Sequence, residues 1–145
     1  MKEGFWILLI MLTYLDNTRA QNLNQHQWKD RIILIGADNY DQAKLKEQLK
    51  RIQRTPEDLN ERKLVVYEVT PQGFRYHHDG QVESVNDNGQ LFLNMFGKGV
   101  KFQVALIGLD GGTKRRWNDL IDNEQIFGLI DTMPMRRAEL RRKRP

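Results

Sequence analysis

The chain has 145 residues, 39% of them hydrophobic and 29% charged, with a formal net charge of +4. That length suits one domain rather than two, and the absence of cysteine removes disulfides, thiolate metal sites and thiol redox chemistry together. The basicity is local: Arg136, Arg137, Arg141, Arg142, Lys143 and Arg144 against Glu139 leave +5 in the last ten residues, so the body before them is about neutral.

Lys2 is followed by Gly4 to Leu15, twelve residues without a charge. This run is shorter than the roughly 20 apolar residues that span a bilayer. Thr18 and Ala20 are small residues at the two positions a signal peptidase inspects, so residues 1–20 are expected to form a signal peptide cleaved between Ala20 and Gln21. The competing reading, a buried N-terminal helix, draws on Glu3, which weakens the positive start. Export to a periplasmic or extracellular space follows from the first reading, with no stable membrane anchor after cleavage. Residues 21–27 are then a polar lead.

Ile32 to Gly36 is a continuous apolar run with β-branching, the pattern of a strand covered on both faces. Asn39 with Gln42 predicts a helix start, and Leu45, Leu49 and Ile52 supply its apolar stripe to about Arg54. Thr55-Pro56-Glu57-Asp58 opens a shorter helix, with proline and acids where the helix dipole favours them. Leu64 to Val69 is a second buried strand, so a βαβ crossover is expected. Phe74 to Val85 predicts a hairpin around Asp79-Gly80, Asn86 to Gly89 a loop, and Gln90 to Phe96 a short helix closed by Gly97. Val104 to Leu109 enters the turn Asp110-Gly111-Gly112 and leaves through Lys114 to Arg116, a second hairpin. Asp122 caps a last helix whose stripe is Ile126, Ile130 and Met133, and Pro134 stops it. The order β, α, β, insert, β, β, α is that of a thioredoxin-like core. The expected fold class is therefore α/β, a single thioredoxin-like domain over residues 28–139 with a mixed sheet, flanking helices and a basic tail at 140–145.

Particular residues carry a further likeness. Trp28 with Asp30-Arg31, Glu61-Arg62, Gly108 to Lys114, and above all Ile130-Asp131-Thr132-Met133-Pro134-Met135-Arg136-Arg137 resemble an uncharacterised extracytoplasmic domain family. Its members occur as small exported bacterial proteins and as modules of vertebrate secreted sushi-repeat and matrix-associated proteins. The resemblance implies a thioredoxin-like fold without an assigned reaction.

A thioredoxin-type enzyme needs its thiol where the first helix begins. Ala37 to Asp41 stands there instead, and no proline lies between Pro71 and Pro134, which argues against thiol oxidoreductase or peroxidase chemistry. In such a core the third strand runs antiparallel to the others. That topology would gather Trp28, Asp30, Arg31, Glu61, Arg62, Asp110, Lys114, Asp131, Arg136 and Arg137 at one end. Asp110, Lys114, Asp131, Arg136 and Arg137 are the expected ligand-binding residues, the arginines offering paired donors to a carboxylate or phosphate. The competing reading is that Asp110 and Asp131 pair with neighbouring cations and lock loop ends.

His77 and His78 are adjacent on a strand and point to opposite faces, so they do not share a metal ion, and Ser84 to Met95 lacks the bidentate acid of a calcium loop. No metal and no cofactor is expected. The basic end has no interleaved aromatic residue, which speaks against nucleic acid. The functional expectation is a non-catalytic exported binding module for an anionic ligand or an envelope or matrix protein. The alternative is an enzyme that uses Asp38, Asp41, His77 or His78.

Overall fold

The two apolar runs become the centre of a sheet. In the computed structural model, which describes residues 23–145, β1 (Arg31–Ala37) and β2 (Leu64–Thr70) are buried along their whole lengths and pair in parallel. The expected leader at residues 1–20 lies outside the described residues. Antiparallel to β1 on its other side runs β5 (Phe102–Ile107), and β6 (Thr113–Trp117) forms that edge. The opposite edge is the hairpin of β3 (Gly73–His78) and β4 (Gln81–Val85), giving the order β4-β3-β2-β1-β5-β6. The fold is thus α/β, a single domain with one six-stranded mixed sheet. Asp79 and Gly80 turn the outer hairpin with φ of 49° and 74°. Two successive positive values match the twist of the flanking strands.

Among the described residues five α-helices flank the sheet: α1 (Ala43–Ile52), α2 (Pro56–Glu61), α3 (Gln90–Phe96), α4 (Asn123–Asp131) and α5 (Pro134–Lys143). On one face Leu45, Ile52, Leu59, Ile126 and Ile130 pack on Ile33, Ile35, Val66, Val104 and Leu106. On the other, Phe92 and Phe96 of α3 cover Ile32, Leu34, Val65, Tyr67, Val69 and Ala105. Alternate residues of each central strand feed the two clusters, which is why those strands read as unbroken apolar runs. Each fully buried Ile or Leu contributes roughly 1.5–3 kcal/mol. Gly36 interrupts the run because a Cβ there would lie 2.6 Å from the Phe96 ring.

Three local expectations are corrected. Asn39 does not cap α1; its Oδ1 accepts from the Asp41 N–H at 2.9 Å, and the helix begins four residues later at Ala43 with Gln42 at the N-cap. An Asx turn and an N-cap use the same side-chain oxygen, and here the turn takes it. Asp122 does occupy the N-cap of α4, but its carboxylate bonds Arg51 Nη1 at 3.1 Å and leaves the helix backbone uncapped. Pro134 ends nothing by itself: α4 stops at Asp131, and Pro134 opens α5, which carries the basic end in helix as far as Lys143. Proline suits the first turn of a helix as well as it opposes the interior.

One buried polar residue fixes α4 to the body. Gln48 of α1 is fully buried, donates Nε2 to the Ile121 carbonyl at 3.0 Å and accepts the Ile121 N–H at 2.9 Å. Gln48→Leu removes both bonds and leaves two buried backbone groups unpaired. Its expected cost is about 3 kcal/mol in urea unfolding at neutral pH, whereas the exposed neighbour Lys50→Leu is expected to stay within about 0.5 kcal/mol of wild type.

Candidate functional site

The beginnings of β1 and β2 and the ends of α2 and α4 meet at one pole of the sheet, and α5 packs there. Three arginines and three carboxylates interlock at this point. Arg31, the first residue of β1, is 1% exposed; its Nη2 lies 3.2 Å from Glu139 Oε1 and its Nη1 donates to the Arg62 carbonyl at 2.8 Å. Arg62 grips Asp131 with two parallel bonds, Nε to Oδ1 at 3.1 Å and Nη2 to Oδ2 at 2.8 Å, and its guanidinium sits 4.5 Å above the Phe127 ring. Arg136, also 1% exposed, uses all three nitrogens: Nη2 to Glu61 at 2.8 Å, Nε to Asp131 at 3.1 Å and Nη1 to Glu139 at 3.3 Å. Nη1 reaches the Glu61 carbonyl as well, at 3.2 Å.

The break between α4 and α5 makes this possible. Asp131 and Arg136 are five apart, a spacing that a continuous helix would rotate onto different faces. With the chain re-aimed at Thr132 and Met133, the carboxylate at the end of one helix meets the guanidinium in the first turn of the next. Burial alone would push the Asp131 carboxyl up, but the hydrogen bonds from Arg62 and Arg136 outweigh it and hold the group below its ordinary value. The same balance holds for Glu139, where burial is opposed by Arg31 and Arg136, while Glu61 is lowered chiefly by its bond from Arg136.

The remaining expected site residues stand apart from this network. Asp110 sits in the β5–β6 turn, where Lys114 Nζ lies 2.7 Å from Oδ2 and the Gly112 N–H donates to Oδ1 at 2.9 Å. These two contacts, the lysine first, lower the Asp110 carboxyl. Trp28 donates its backbone N–H to the Leu109 carbonyl, which brings the turn to the same pole, yet among the described residues no ion pair joins Asp110 or Lys114 to the arginines. Arg137 is exposed and makes no ion pair among the described residues. Of the ten residues expected at one end, Arg31, Glu61, Arg62, Asp131 and Arg136 interlock, and Glu139 joins them.

The contacts of His26 were the part that the sequence hid. His26 is buried, with Nδ1 2.7 Å from Asp30 Oδ2 and Nε2 2.7 Å from the Tyr67 hydroxyl. Burial pushes the Tyr67 phenol up. His77 Nε2 lies 2.7 Å from Glu68 Oε2 on the face that α1 covers, whereas His78 stacks on Tyr76 on the other face and pairs with Asp79 at 2.9 Å. Opposite faces for His77 and His78 are what strand alternation demands. Asp38 accepts from Asn39 and Gln42, and the exposed Asp41 lies 3.7 Å from Lys46. Among the described residues no cluster of three or more His, Asp or Glu is arranged to hold a metal ion.

Removing Arg136 takes one cation from each of three carboxylates: Asp131 keeps Arg62 and Glu139 keeps Arg31, while Glu61 loses its short ion pair. Arg136→Met is expected to cost about 3 kcal/mol of stability at pH 7, read from urea unfolding. The pH dependence has a fixed sign. Asp131, Glu61 and Glu139 are lowered in the folded state, so the stability they supply is complete above their unfolded values, about 4 to 4.5. It is lost as pH falls through the folded ones. Wild type should therefore lose stability as pH falls below about 4.5, and Arg136→Met should show a flatter profile there in thermal melts.

A comparison with curated proteins finds no match. The family description that does match is "Domain of unknown function (DUF4174)", over residues 22–139. That span takes in the whole sheet, all three arginines of the network and their carboxylate partners, and the chain belongs to this family.

Proposed function

We propose that the protein is an exported, non-catalytic binding module on a thioredoxin-like scaffold, and that it takes an anionic partner on the outer face of α5. The scaffold reading is supported by the core order β6-β5-β1-β2, with β1 and β2 parallel and β5 reversed between β1 and β6. The export reading draws on the uncharged run Gly4 to Leu15 followed by Thr18 and Ala20. The chain has no thiol for redox work.

One observation carries the choice of surface. Glu61, Asp131 and Glu139 are all spent on Arg31, Arg62 and Arg136, so α5 turns its acidic residue inward and keeps no carboxylate for its outward bases. Arg137 and Arg141 fall at i and i+4 on one stripe of α5 and are exposed, and the exposed Arg144 follows at the end of the helix. Like charges at that spacing repel in the free protein, and an anionic partner relieves the repulsion. Of the residues first expected to bind, Arg137 belongs to this surface. Asp131 and Arg136 form the lock that sets its orientation, and Asp110 and Lys114 brace the neighbouring turn. Cations in the last helical turn also complement the helix dipole, and that role needs no partner.

The test is retention on immobilised heparin, used as a polyanion probe. The triple variant Arg137→Glu, Arg141→Glu, Arg144→Glu is expected to weaken binding by about tenfold or more, with binding of the wild type falling as salt rises. The double variant Lys98→Glu, Lys101→Glu, remote in sequence from α5, is expected to bind as wild type does. Equal losses in the two variants, or no retention of the wild type at low salt, would remove the proposal.

A further inference from the structure

Beyond the basic helix, the same pole holds a cavity. Pairing of β3 with β2 ends at His77 and Val66, while β3 and β4 continue together to His78 and Gln81. The hairpin tip thus leaves β2, and the space beside Leu64 and Val65, closed on its other side by α2, measures about 540 Å3. Volumes of that order hold small molecules. Leu59 and Leu64, packed in one cluster, give it an apolar floor.

Its polar wall is mostly uncharged. Gln53, Asn60 and Gln81 line it together with His77. The charged groups at its margin are already engaged: Asp30 holds His26, Asp79 holds His78, and Lys63 Nζ lies 3.9 Å from Glu139. No pair of free guanidinium groups faces the space, so nothing there matches a phosphate or carboxylate by two parallel donors.

His77 is oriented. Glu68 is 5% exposed at its side chain and accepts from Nε2, with Arg75 Nη1 3.9 Å from its other oxygen. A carboxylate only accepts, so in the neutral ring Nε2 carries the proton and Nδ1 is left as an acceptor. The partner of Nδ1 is the Gln53 amide, 3.3 Å away on an exposed side chain that a ligand can displace.

We propose that this cavity binds a neutral polyhydroxylated ligand of about disaccharide size, with His77 Nδ1 accepting a hydrogen bond from one of its hydroxyls. A hydroxyl both donates and accepts, and each carboxamide offers one donor and one acceptor to meet it. The apolar floor suits the C–H face of a sugar ring. This site is separate from the stripe of α5, and its test does not depend on polyanion binding.

The experiment is nitrogen-15 NMR on the full chain, titrated with glucose, cellobiose, N-acetylglucosamine and myo-inositol, with inorganic phosphate as the charged comparator. The expected result is a saturable shift of Gln53, Asn60, His77 and Gln81 with at least one of the four neutral probes. The His77 ring should show the Nε2–H tautomer throughout. Asn60→Ala is expected to weaken that binding about tenfold, and because Asn60 is exposed the variant should keep its fold. His77→Ala is the stronger probe, but it leaves the buried Glu68 without its donor, so the Asn60 variant decides if that protein does not fold. The proposal is overturned by any of four outcomes: no saturable shift with any neutral probe, a preference for phosphate at the same residues, the Nδ1–H tautomer, or unchanged affinity in Asn60→Ala.

Discussion

A guanidinium group that is 99% removed from water sets the terms for this end of the molecule. Arg136 can be buried only because every nitrogen has a carboxylate or carbonyl in reach, since an unpaired charge there would cost several kcal/mol. Those acceptors come from α2, α4 and α5, and Glu139 links onward to Arg31 of β1. Four elements distant in sequence are thereby tied at one point. A buried ion network of this kind adds less to stability than a well-packed apolar cluster of equal volume. What it adds is direction: guanidinium forks have few good angles, so α5 has few ways to sit. This matters because α5 reads PMRRAELRRK and has little apolar surface of its own with which to dock.

The network also sorts charge. Carboxylates and arginines are matched inward, and on α5 the exposed Arg137 and Arg141 are left without an ion pair among the described residues. The same matching fixes one wall of the cavity. Glu61 and Arg62 close α2, and both are held in the network, so the helix that presents Asn60 and Leu59 to the cavity is anchored by residues that do not line it. Lys63, next in the chain, touches Glu139 from the cavity side. Binding at either surface would meet a frame already rigid, which lowers the ordering cost of association.

Most of the sheet was legible because its signals are local. β1, β2 and β5 announce themselves as apolar runs, and the Asp79-Gly80 turn needs only two residues to specify its type. Pro134 was not legible, because one residue carries two opposite meanings, stop and start, and the choice between them is made by Arg136 reaching Glu61, 75 residues away. Asn39 was ambiguous for a similar reason: one oxygen, two competing backbone donors. Arg136 and Arg137 read alike as donors for a ligand; the competing reading, Asp131 paired with a neighbouring cation, is the one that Arg136 fits, and Glu139 three residues on holds it inward as well. His26 and Tyr67 are 41 residues apart and share no periodic signal. His77 with Glu68 was within reach of sequence reasoning: once β2 and β3 form a hairpin with Glu68 opposite Arg75, His77 is the diagonal neighbour.

The two ends of the central strands are left in different chemical states. Where β1 hands over to α1, Asp38 accepts from Asn39 and Gln42, Gln42 also reaches the Lys101 carbonyl, and Asn39 closes on the Asp41 N–H. That turn is held by its own side chains, and among the described residues it leaves one buried acceptor, Gln42 Oε1, without a partner. At the opposite end the polar groups exceed what the fold needs: His77 has an acceptor covered only by an exposed amide, and α5 has bases without acids. A fold of this size stabilises itself with a narrow margin, so polar groups held in fixed geometry yet left with open valence are the places where binding has most to gain. By that argument the two proposed binding surfaces share the pole where β1 and β2 begin, and the arginine network is the frame between them.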